Sequence, residues 1–340
     1  MPLLKLKLLF YKVGLAVPAR RGDSARTKRR AGDSEPYLNW VLLLSLIFIG
    51  CSHDGRPEVV VYTSQDRVYS EPIFKRFTEE TGIRVLPVYD NEAVKTVGLA
   101  QRLLVEQNKP RCDVFWSNEA LRTYQLKTSG VLDDKVPIAS FGYRSRRLVY
   151  STEHFKEPPS GLNLLTLVEP QWKGKVVLAF PQFGTTAAFF LALKKHWGNS
   201  TWEKWCLSLN AGTPLLVDGN SVVVKMIAAG KAWIGLTDWD DVQAGKREKL
   251  PVESIAADDD TLLIPNTVCI IRNGPNPENA VQLYRYIQSS SVIQSLIEAH
   301  ALEGESMSNC VRQYGFQADW ESLVVDLSAG TDLLTELFAR

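Results

Sequence analysis

Several short polar clusters in this chain combine residue types that bind ligands, and each follows an apolar run. The richest is Thr237-Asp238-Trp239-Asp240-Asp241, three carboxylates and an indole directly after Trp233-Ile234-Gly235-Leu236. Ligands in an open α/β sheet sit beyond the carboxyl ends of strands, so a strand that empties into acids and an aromatic is a candidate ligand wall. Asp238 and Asp240 could equally cap the next helix and favour its dipole. The cluster alone leaves both readings open, as it does for Trp239, which could stack on an organic ligand or pack between lobes.

Similar exits recur. Thr63-Ser64-Gln65-Asp66 follows Val59–Tyr62, Asp90-Asn91-Glu92 follows Ile83–Tyr89, and Ser117-Asn118-Glu119 follows Cys112–Trp116. The run from Lys175 to Phe180 ends in Pro181-Gln182-Phe183-Gly184-Thr185-Thr186, and Leu215–Val217 ends in Asp218-Gly219-Asn220-Ser221. Thr185 and Thr186 open a helix, where free N–H groups and the positive dipole end favour an anion; an ordinary threonine cap is the plainer alternative. Asn220 and Ser221 carry the same ambiguity. The candidate ligand-binding set is therefore Ser64, Gln65, Asp66, Glu92, Asn118, Thr185, Thr186, Asn220, Ser221, Asp238, Trp239, Asp240 and Asp241, with Glu92, Asp240 and Asp241 as candidate metal ligands.

The elements that must position these groups alternate between strand and helix, which predicts a mostly parallel sheet with helices around it. Ile73, Phe74 and Phe77 fall at helical spacing before Gly82, which suits the end of a helix. Ser200 with Glu203 has the form of a capping box. Asn279 to about His300 reads as helix, and the last twenty residues read as one amphipathic helix. The pattern restarts beyond Gly142, the chain crossing near residues 140–143 and returning near 263–266. Two α/β lobes joined by two crossovers follow: 58–142 with 265–340, and 143–264.

The chain has 340 residues with 45% hydrophobic and 23% charged side chains, an ordinary globular balance. A net charge of +1 gives no bulk argument for nucleic acid. Much of the positive charge precedes residue 31, so the mature protein is expected to be acidic. Trp40–Ile49 is an uncharged run too short to span a bilayer comfortably, followed by Gly50-Cys51-Ser52. This is similar to a bacterial lipoprotein signal. It implies an export segment over 1–51, lipidation at Cys51, a tether over 52–57 and a protein held at the periplasm or cell envelope; an uncleaved signal anchor is the alternative. Cys112, Cys206, Cys269 and Cys310 show no metal-type spacing. The four histidines have no catalytic partner nearby in sequence, and there is no P-loop and no G-x-S-x-G, so an enzyme is not expected.

The stretches VVVYTSQDRVYSEPIFKRFTEETGIRVLPVYD, NEAVKTVGLAQRLL, CDVFWSNEALRTYQLKTSGVL, FPQFGTTAAFF, DGNSVVVKMIAAGKAWIGLTDWDD and LLIPNTVCII together resemble the extracellular solute-binding proteins of the ferric-iron (Fbp-like) ABC-transporter group. The resemblance covers nearly all of residues 58–340. It implies a two-lobed α/β type II periplasmic-binding-protein fold, a ligand trapped in the cleft by hinge closure, and delivery to an ABC permease of the inner membrane, the receptor being a monomer. Iron-binding members place a glutamate where Glu92 stands and a histidine or polar residue near Gln65-Asp66. Their adjacent tyrosines fall on Asp240 and Asp241 here. Two ligand classes remain open: ferric iron or another metal held by carboxylates with an accessory anion at the Thr185 nest, or a small organic solute bearing a phosphate or carboxylate. A sensor lipoprotein uncoupled from transport is a further reading.

Overall fold

A computed structural model describes residues 56–89 and 95–338 of the chain. The expected export segment, Cys51 and Glu92 lie outside the described residues. In the first lobe, β1 (Glu58–Thr63), α1 (Arg67–Thr81), β2 (Arg84–Tyr89), α2 (Lys95–Val105), β3 (Val114–Ser117) and α3 (Ala120–Thr128) alternate as expected. β1 pairs in parallel with both β2 and β3. Alternation along β1 divides its side chains between two apolar layers. Val59 and Val61 pack on one face with Phe74, Phe77 and Leu283, whereas Tyr62 packs on the other with Leu99, Leu103 and Leu126.

β4 (Ala139–Ser151) then carries the chain into the second lobe, which contains β5 (Val176–Ala179), α4 (Gly184–Trp197), α5 (Asn199–Ala211), β6 (Leu215–Val217), α6 (Asn220–Ala228), β7 (Ile234–Asp238), α7 (Trp239–Arg247) and β8 (Val252–Ser254). β5 lies parallel to β6 and β7. The chain returns through β9 (Leu263–Ile270) and ends in α8 (Pro277–Ile287), α9 (Ser290–Glu298), α10 (Ser308–Gln313), α11 (Trp320–Val325) and α12 (Leu327–Phe338). The strand order β2-β1-β3-β9-β4-β7-β5-β6, with β8 beside β4, makes one sheet that runs through both lobes.

β4 is the element that joins them. Residues 139–145 pair with β9, and residues 146–150 change partner to β7, both antiparallel. The register slips between Phe141 and Tyr143. Gly142 sits there at φ 58°, with Leu302 filling the space a Cβ would need.

Three expectations fail locally. The region from 279 to 300 is two helices, broken at Ser289. Gly198, not Ser200, precedes α5, and no side-chain cap bond forms there, because the helix already begins at Asn199. The C-terminal residues form two helices, α11 and α12: α11 bridges α3 of the first lobe, where Lys127 pairs with Glu321, and α4 of the second, while α12 packs on α4 and α5, so that Trp320, Leu323, Leu327, Leu334 and Phe338 share a core with Leu121, Phe189, Phe190, Trp202 and Trp205. The apolar stripe of α12 needs a covering surface, and α4 and α5 provide it. Cys112, Cys206, Cys269 and Cys310 are all free thiols. No helix among the described residues is long and apolar enough to cross a membrane.

The lobes also touch away from the crossover strands. Arg247 at the end of α7 donates to Tyr69 Oη on α1 (2.5 Å) and to the Ala299 carbonyl after α9 (3.0 Å), and lies 3.4 Å from His300 Nδ1. The Trp239 and His300 rings meet edge to face with centroids 5.8 Å apart. His300 adopts φ 58°, an unusual conformation for a residue with a side chain.

Candidate functional site

Within each lobe the parallel strands end on one side, and the two sets, opposed in direction through β9 and β4, run toward each other so that their polar exits face across one gap. The exits of β1, β3, β5, β6 and β7 surround a cavity of about 100 Å³ lined by Asp66, Asn118, Thr185, Thr186, Asn220, Ser221, Asp238, Asp240 and Asp241. The structure thus brings together nine of the thirteen candidates. Ser64 and Gln65 do not line it. They are buried beneath the wall, where Ser64 Oγ donates to Asn118 Oδ1 (2.9 Å) and accepts from the Asn118 N–H (3.1 Å). The expectation that they contact ligand is corrected: Ser64 holds Asn118 in place instead. Trp239 is also outside the lining, its ring committed to His300.

Two arginines organise the acidic end, and the sequence reading missed both. β4 alternates, so Arg144 and Arg146 project to one face and Ser145 and Arg147 to the other. Ser145 and Arg147 both bond Glu303. Arg144 Nη1 donates to both oxygens of Asp240 (3.1 and 2.9 Å) and lies 3.2 Å from Asp238 Oδ2. Its Nη2 donates to the Asn118 carbonyl (3.0 Å) and to Thr185 Oγ1 (3.2 Å), tying the two lobes together. Arg146 Nη1 donates to Asp238 Oδ1 at 2.6 Å and to Asn220 Oδ1 at 3.1 Å. Asn220 Nδ2 in turn donates to Asp238 Oδ2 (3.0 Å).

These groups are deeply buried: Arg146 and Asp238 are 2% and 1% exposed, Arg144 and Asp240 5% and 4%. Burial of opposite charges is tolerated only when each is paired and hydrogen-bonded. Asp238 and Asp240 are thereby matched by the two guanidiniums, and Asp66, Asp218 and Asp241 leave the cleft with an acidic surplus. Burial raises the Asp240 carboxyl to about 6, against the pull of Arg144, with Asp238 and Asp66 pushing the same way as burial. Asp241 is pushed well above the usual range by burial and by Asp240 and Asp238. Burial works against the charge on Arg144, but Asp238, Asp240 and Asp241 outweigh it and hold the guanidinium protonated.

On the other side of the cavity, α4 begins at Gly184 and α6 at Asn220, and neither has a side-chain cap bond. The capping alternative for Asp238 is likewise not realised: it precedes α7 without a side-chain cap bond and turns to the arginines. Arg144, Ala179, Phe180, Phe183, Gly184, Asp218 and Gly219 complete the wall. The signal that could have revealed the arginines is the triplet Arg144-Ser145-Arg146, read at period two once the strand is extended back from Arg147. For metal chemistry, one oxygen from each of Asp238, Asp240 and Asp241 lies within 4.8 Å of the others. Glu92 lies outside the described residues.

A family model described as bacterial extracellular solute-binding protein matches residues 58–300. Among curated relatives, Iron uptake protein A1 of Synechocystis is 22% identical over 299 residues, covering 78% of this chain and 82% of its own. The Major ferric iron-binding protein of Neisseria meningitidis is 22% identical over 271 residues, covering 72% and 80%. Of solved structures, iron-bound HitA from Pseudomonas aeruginosa superposes with a TM-score of 0.71 at 18% identity over 83% of this chain and 99% of that one. AfuA from Actinobacillus pleuropneumoniae with fructose-6-phosphate bound gives 0.69 at 16% identity over 83% and 98%. This chain shares with both the two-lobed α/β periplasmic-binding-protein fold, and its own strand exits meet in one cleft. The extent of the family match and the convergence of strand exits on that cleft agree: this chain belongs to the bacterial extracellular solute-binding proteins.

Proposed function

We propose that this protein is the receptor of an ABC importer and that its cleft takes a small organic solute bearing a phosphate or carboxylate. One observation carries the choice of ligand: the Arg144 guanidinium lies within 2.9–3.2 Å of Asp240 and Asp238, where a metal ion would need the same oxygens. A cation entering there meets a fixed positive charge. An anion at the start of α4, which has no side-chain cap, meets the N–H groups of a first helical turn and the positive end of the helix dipole. Arg144 Nε adds to this reading, being buried with no hydrogen-bond partner among the described residues. The remaining carboxylates, Asp66 and Asp241, would accept hydrogen bonds from hydroxyl or ammonium groups at the far end of the solute. The sugar phosphate held by AfuA is a solute of this chemical type.

The second reading is a hard cation on Asp238, Asp240 and Asp241, supported by the closeness of their oxygens and by the iron-binding relatives. In that reading the accessory anion occupies the Thr185 nest. Native mass spectrometry with metal analysis of protein purified without chelators separates the two. A retained organic anion and no stoichiometric metal is the expected result; one tightly held ferric ion per chain would overturn it. Lipid attachment at Cys51, a monomeric state and delivery to an inner-membrane permease belong to the same proposal. Mass spectrometry of the exported protein, with Cys51→Ala as comparison, tests the lipid.

A further inference from the structure

We propose that Phe183 is a stacking platform that makes the receptor select ring-bearing solutes, with a cyclic sugar phosphate as the preferred class; this rests on the reading of the cleft as an organic-anion site. The rest of the wall is carboxylates, amides, hydroxyls, glycine, the Arg144 guanidinium and the small Ala179, yet Phe183 lines it while 42% exposed, and Phe180 lines it too. The position is fixed by the backbone. The Phe183 N–H closes a tight turn onto the Phe180 carbonyl (3.2 Å), and Gly184, at φ 51°, turns the chain directly into α4. The residue that presents the apolar surface is thus immediately before the N–H groups that would hold an anion.

This adjacency sets a geometric filter. A solute anchored by its anionic group at Gly184 and Thr185 has its next atoms near Phe183. A hydrated metal ion or inorganic phosphate gains nothing from an apolar ring, and a short acyclic chain covers little of it. A sugar ring lays a C–H face on the phenyl group and turns its hydroxyls outward. Asp66 and Asp241 line the same cavity as acceptors for those hydroxyls. Aromatic contact then supplies the discrimination that charge alone does not, since every phosphate monoester presents the same anion to the helix ends.

The test is calorimetry with four probes, a hexose 6-phosphate, glycerol 3-phosphate, phosphoethanolamine and inorganic phosphate, on the wild type, Phe183→Ala and Phe183→Trp. Phe183→Ala should weaken hexose phosphate binding about tenfold, change glycerol 3-phosphate less than about twofold, and leave the unliganded melting temperature unchanged because the side chain is exposed. Phe183→Trp should restore hexose phosphate binding. Equal loss for all probes, no loss for the hexose phosphate, or a wild-type preference for phosphoethanolamine overturns the platform while the organic-anion reading stands. A wild type that binds none of the four but holds ferric iron overturns that reading and the platform with it.

Discussion

Replacing Arg247 with alanine removes the bonds from α7 of the second lobe to Tyr69 and the Ala299 carbonyl of the first, and the contact with His300. The contribution of these bonds to closure follows from their setting. A hydrogen bond from a charged donor contributes about 1.5–3 kcal/mol when buried; Arg247 is exposed, so solvent competition reduces the group as a whole to about 1–2 kcal/mol. Tyr69, at 9% exposed, remains packed on its own lobe, so the loss falls on the contact between lobes and not on either core. A solute that binds the closed form tightly therefore loses about 5- to 30-fold in affinity. Most of this should appear as faster release, because the open form that admits the solute is untouched. A donor–acceptor dye pair across the lobes reads the closed fraction directly, without knowledge of the solute. The variant should be more open than wild type at the same melting temperature, and Arg247→Lys should recover part of the difference. An unchanged interlobe distance in Arg247→Ala refutes the assignment of these contacts to closure.

Further outcomes follow from the buried charges and the packing. Asp238→Asn leaves Arg146 and part of the Arg144 charge uncompensated in the interior, and urea unfolding should show a loss of about 3–5 kcal/mol. The Asp240 carboxyl is raised to about 6 in the folded chain, above its unfolded value of about 3.9, so its protonation favours the fold. That stabilisation is fully present below about pH 4 and is lost as pH rises through 6; the stability difference between wild type and Asp240→Asn should therefore vary across this window and flatten outside it. A Cβ at Gly235 would meet Val223 at 2.5 Å, Ile227 at 2.8 Å and the Val177 carbonyl at 3.1 Å. Gly235→Ala should then cost about 1–3 kcal/mol by thermal unfolding, with the solute contacts intact.

The cleft was legible wherever strand exit and polar residue coincide. Asp66, Asn118, Thr185, Asn220 and Asp240 come from five strands, parallel within each lobe and pointed head-on from the two lobes, which leaves their exits one place to meet. What could not be read is how a side chain chooses between ligand and protein. Ser64 and Trp239 have the chemistry of a site and are used for support, one beneath Asn118 and the other against His300. The arginines were hidden for a different reason: a strand of thirteen residues that passes between two lobes has no apolar run at its centre, so only its Arg147–Tyr150 end looked like strand. The destination of α12 was illegible because an amphipathic stripe specifies burial and not a partner.

The paired course of β4 and β9 constrains more than topology. Residues 139–145 and 263–268 are zipped edge to edge by main-chain bonds, and Arg146 N still donates to the Leu262 carbonyl at 3.0 Å where the strands part. Two separate linkers would let one half wander in several directions against the other. A ribbon resists stretching and in-plane shear and yields readily only to bending and twist, so a hinge motion of the lobes would follow a track set by the backbone. Under the proposed receptor role, ligand preference would then change through the side chains of the mouth while the path of closure stayed the same.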